Sequence, residues 1–77
     1  MLFGKRITIE PDFVPETSED ICMAVAKYCV EFHLPYEFIN RDYPVVAMID
    51  GCKYRITKQF AKRYWVNMWV LRCKEID

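Results

Sequence analysis

The side chains best suited to bind a metal or attack an electrophile are four cysteines, Cys22, Cys29, Cys52 and Cys73, and a single histidine, His33. Cys29 and His33 stand four apart, a spacing that puts two ligands on one helical face, and Cys52 or Cys73 would have to complete a tetrahedral zinc site from a distant element. The paired short-range knuckles that mark zinc sites do not occur. Nor does the Cys29–His33 spacing by itself define the geometry of a nucleophilic pair. Glu19 and Asp20 are adjacent carboxylates, but at a helix start their charge serves the positive end of the dipole better than acid–base chemistry. With only Gly4 and Gly51, the chain has no glycine-rich loop to cradle a phosphate. These residues assign no catalytic group, no metal ligand and no cofactor, and the chain reads as a binding protein and not an enzyme.

Binding chemistry is better represented. Lys53, Arg55, Lys58, Lys62 and Arg63 are interleaved with Tyr54, Phe60, Tyr64 and Trp65, the composition with which sheet-borne modules hold and stack single-stranded nucleic acid or another anion. No ribonucleoprotein-type motif accompanies it, and the formal net charge is zero. That zero hides an asymmetry: residues 1–50 carry nine acidic and four basic side chains, whereas residues 51–77 carry seven basic and two acidic ones. A basic carboxy-terminal third either steers an anionic partner or neutralises an acidic helix packed against it.

The elements that must position these groups begin with residues 5–10, KRITIE, whose alternation sets Ile7 and Ile9 against Arg6, Thr8 and Glu10 as a half-buried strand. Pro11 ends it. Thr17 or Ser18 caps a helix whose apolar face is Ile21, Ala24, Val25, Tyr28 and Phe32, and Leu34-Pro35 closes it. YEFIN, residues 36–40, is a short strand. Asp50-Gly51 then joins two alternating runs over residues 45–56, a strong hairpin signal because both central residues of a type I′ turn need positive φ. Its register places Val45, Ala47, Ile49, Cys52, Tyr54 and Ile56 on one side, and Val46, Met48, Lys53 and Arg55 on the other. The last segment fits a helical stripe of Phe60, Tyr64, Met68 and Leu71, but its density of Tyr, Trp and Val favours a strand over residues 64–73. The expected fold is a two-layer α+β domain spanning residues 1–77, β-α-β-β-β with three or four strands after the helix. One helix packs on a mainly antiparallel sheet of open strand order.

A single helix covers one side of such a sheet, and the last strand is apolar on both of its sides. Trp65, Asn67, Trp69, Leu71 and Cys73 share one face; Tyr64, Val66, Met68, Val70 and Arg72 share the other. An apolar patch on the uncovered side marks a protein contact or self-association, most simply a homodimer, with Val46, Met48, Trp65 and Trp69 as the candidate interface.

The chain is 53% hydrophobic and 16% aromatic, which excludes the composition of disordered segments. No apolar run approaches a membrane span, and the amino terminus lacks the pattern of a secretory signal, so a cytoplasmic protein is expected, with its cysteines reduced and buried as small apolar residues. The segments SEDICMAVAKYC, FINRDYPVVAMIDGCKYRI and WVLRCKEID resemble a family of small standalone bacterial domains of unknown function. The resemblance implies an α+β domain in a bacterial cytoplasm and transfers no catalytic or binding residue.

Overall fold

A computed structural model describes residues 6–63 and 66–76, with Arg63 described by its backbone alone. The elements are β1 (Arg6–Ile9), α1 (Ser18–Glu31), β2 (Tyr36–Asn40), β3 (Val45–Ile49), β4 (Cys52–Arg63) and β5 (Val66–Glu75). The start of α1 is a capping box. Thr17 Oγ1 accepts from the Asp20 amide at 3.1 Å, and the Asp20 carboxylate accepts from the Thr17 and Glu16 amides at 3.2 and 2.9 Å. The helix ends where His33 adopts φ 57° and the amides of Leu34 and His33 donate to the carbonyls of Cys29 and Val30, the hydrogen-bond pattern of a Schellman motif. Termination therefore falls before Leu34-Pro35. Phe32, expected on the buried face, is the C-cap residue and is 56% exposed; Cys22 and Cys29 take buried positions beside Ile21, Ala24 and Val25.

Both turn residues of the β3–β4 hairpin have positive φ, Asp50 at 52° and Gly51 at 82°. The pairing Val45↔Ile56, Ala47↔Tyr54, Ile49↔Cys52 follows the predicted register. Beyond Ile56 the chain is extended up to Arg63 and again from Val66, so Phe60, Met68 and Leu71 form no helical stripe, and Tyr64 lies outside the described residues. Instead β4 runs on to Arg63, and β5 returns beside it from Arg63↔Val66 to Tyr54↔Glu75. Extended β-branched and aromatic residues bury better across a strand pair than around a helix, and four strands follow α1 in consequence.

The five strands form one antiparallel sheet of order β1-β5-β4-β3-β2. The first strand lies at an edge, beside the last. Residues Ile9, Val45, Ala47, Ile49, Tyr54, Ile56, Leu71 and Cys73 meet the helix in one core, with Ile7, Phe13 and Phe38 partly buried around it. Val70 alternates to the other face and is also buried, at 3% exposure. The helix packs against β1, β2 and β3 on this core side.

Candidate anion-binding face

Successive side chains of a strand point to opposite faces, and this alternation divides the basic residues of β4 into two sets. Lys58 and Lys62 share the face of Tyr54 and Ile56, the helix side. There Lys58 Nζ donates to the Pro15 carbonyl at 3.2 Å and lies 5.3 Å from the centre of the Trp69 ring, tying the hairpin to the loop before α1. Lys53 and Arg55 point the other way. The side chain of Arg63 lies outside the described residues.

On that other, uncovered face the register assembles cations from three strands. Arg6 pairs with Lys74, and Lys74 pairs with Arg55, so Arg6, Lys74 and Arg55 form a row across β1, β5 and β4. The adjacent row is Thr8, Arg72 and Thr57. With strands ~4.8 Å apart and rows roughly 7 Å apart, four cations fall within an area about 10 Å wide. They line a shallow concavity of about 340 Å³ together with Thr8, Thr57 and Gln59. Arg6, Arg55, Arg72 and Lys74 are all exposed, and among the described residues none of the four is in an ion pair. The nearest acidic positions in register are marginal: Glu37 on the far edge strand, opposite Met48, and Glu10 just past β1. Like charges directly opposite across strands are unfavourable, so this row costs stability when nothing neutralises it.

Sequence reasoning placed Arg55 and Lys53 here but missed Arg6, Arg72 and Lys74. Their alternation was visible in each strand; the β1–β5 pairing that joins them was not. Of the candidate interface, Val46 and Met48 lie half-buried on the same uncovered face, Val46 opposite Arg55 and Met48 opposite Lys53. Trp69 turns to the helix side, half-buried and edge-on to Phe60 with ring centres 4.9 Å apart. The fourth, Trp65, lies outside the described residues. The structure thus brings Val46 and Met48 together with the cations and separates them from Trp69.

No family model, curated protein or solved structure matches this chain.

The thiols are set for packing. Burial pushes Cys73 up to about 12, with neighbouring Cys29 adding to the effect, and burial likewise raises Cys22 and Cys29. All three stay protonated at neutral pH, unlike an activated thiolate nucleophile. His33 stands beyond the last helical residue and is exposed, so it does not share a helical face with Cys29. Among the described residues no group of three His, Cys, Asp or Glu is placed to hold a metal. A larger groove, about 600 Å³, runs between α1 and the loop after β1 over Ile9, Phe13, Ala24 and Tyr28, and the Lys27–Asp12 ion pair bridges its two sides. Among the described residues no helix is long and apolar enough to cross a membrane.

Proposed function

We propose that this chain is a small binding module whose uncovered sheet face takes an anionic partner. The observation that carries this reading is the row Arg6, Lys74, Arg55, with Arg72 in the row beside it and no carboxylate between them. Such an array raises the local concentration of anions and speeds their encounter. The helix layer carries Glu16, Glu19, Asp20 and Glu31 on the side of the sheet away from Arg6, Arg55, Arg72 and Lys74, so these four cations are not spent neutralising the helix. The protein acts by contact and not by catalysis, in a reducing cytoplasm. Support for that compartment comes from Cys22, Cys29 and Cys73, buried as free thiols. Tripolyphosphate titrated into isotopically labelled protein at low salt is expected to shift the amides of Arg6, Thr8, Arg55, Thr57, Arg72 and Lys74. Shifts confined to the neighbourhood of Lys58 and Lys62, or none at all, would contradict the reading.

Self-association is a second reading, favoured by the far end of the β4–β5 hairpin. Phe60 and Val66 are 58% and 61% exposed there, beyond Leu71 and Ile56, where pairing with β1 and β3 ends. A homodimer through this end predicts a doubled solution mass by light scattering that returns to the monomer value in Phe60→Ser. A monomer at every concentration removes this reading and leaves the first untouched.

A further inference from the structure

We infer that the anionic partner is a nucleic-acid duplex, held by its phosphodiester backbone without contact to the stacked bases; this rests on the anion-binding reading above. Three of the four central cations are arginines, whose planar forks meet phosphate oxygens in pairs, and Thr8, Thr57 and Gln59 supply neutral donors around them. An acidic protein surface would also satisfy the charge. Protein interfaces, however, have an apolar, aromatic-rich centre with charge at the rim, whereas the described positions of this face cluster four cations and carry no ring. Arg6, Lys74, Arg55 and Arg72 span β1, β5 and β4, and the apolar residues of the face flank them, Val46 and Met48 on β3 and Val66, Met68 and Val70 further along β5. Interfaces with nucleic acid are the polar, strongly basic kind.

The choice of a duplex over a single strand follows from where the aromatics point. Proteins hold single strands by stacking bases on exposed rings. Here Tyr54, Phe60 and Trp69 alternate to the helix side, and the described positions of the uncovered face carry no ring. A duplex hides its bases and presents phosphates outward at high charge density, which suits a face built of cations and hydroxyls. Recognition of this kind positions the backbone and reads no sequence.

The test is fluorescence anisotropy with labelled DNA duplexes of about 20 base pairs and two unrelated sequences, between about 50 and about 200 mM salt. Equal affinity for both sequences is expected, together with a slope of log K against log salt of about −3 to −4 for four phosphate contacts. The matching single strands should bind more weakly. Arg55→Gln with Lys74→Gln, both exposed positions, should lower duplex affinity at least ~10-fold and reduce the slope by about 2, whereas Lys58→Gln with Lys62→Gln should leave the slope within about 1 of the parent. Circular dichroism checks that each variant is folded. Tighter binding to single strands, or loss only in the Lys58 and Lys62 variant, overturns the inference. Labelled polyglutamate bound where the duplex is not also overturns it, while leaving the anion-binding reading in place. No binding of duplex, polyglutamate or tripolyphosphate overturns both.

Discussion

His33 and Cys73 carry reactive side chains, and the structure gives each a structural task. His33 occupies the left-handed position that ends a helix, where glycine is the least strained residue. His33→Gly is expected to stabilise the fold by about 1 kcal/mol, which for a domain of this size raises the melting temperature by roughly 4 to 8 °C. Thermal unfolding checks it; a lowered melting temperature would mean the imidazole makes a contact worth more than the strain. Cys73 has its proton held up to about 12 in the fold, against 9.0 for an ordinary thiol. Because the unfolded thiol ionises first, its contribution to stability is complete below pH 9 and is lost as pH climbs toward 12. Denaturation at a series of alkaline pH values should show this decline, and Cys73→Ala should flatten it. In native protein a thiol reagent should label half-exposed Cys52 well before Cys73. Equal labelling rates would contradict the burial that sets these values.

At the scale of elements, local signals were readable in the sequence and long-range ones were not. The Asp50-Gly51 hairpin and the start of α1 were legible because each is fixed by neighbours: two positive-φ residues in one case, a capping box in the other. Thr17→Ala should cost about 1 kcal/mol by chemical denaturation, with anion binding unchanged because the cap lies in the helix layer. The end of α1 was less legible, since a histidine stands where glycine would have signalled the turn. The β1–β5 pairing was illegible for a different reason. Residues 6–9 and 71–74 are nearly the whole chain apart, and alternation in each says which side chains share a face but not which strand lies beside which. The candidate site depends on that pairing. Segment 53–65 looked like one basic and aromatic cluster in sequence, and over residues 53–63 the extended backbone splits it between two faces, Tyr64 and Trp65 lying outside the described residues.

At the scale of the whole molecule, a net charge of zero hides an uneven distribution: Glu16, Glu19, Asp20 and Glu31 lie in the helix layer with Lys58 and Lys62 on the same side of the sheet, while Arg6, Lys53, Arg55, Arg72 and Lys74 gather on the uncovered face. Such a molecule carries a dipole that orients it toward an anionic surface, so association should slow steeply as salt rises while stability changes little. The row Arg6, Lys74, Arg55 is where binding and stability pull against each other, because the arrangement that attracts an anion repels itself. Lys74→Glu reverses the central charge and creates two opposite-charge cross-strand pairs at once. The most direct test is therefore urea denaturation of Lys74→Glu beside the parent at low salt, with tripolyphosphate affinity measured on the same samples. Stability should rise by about 0.5 to 1 kcal/mol while affinity falls at least ~10-fold. A variant that is less stable and binds the anion as well as the parent would contradict the assignment of this face.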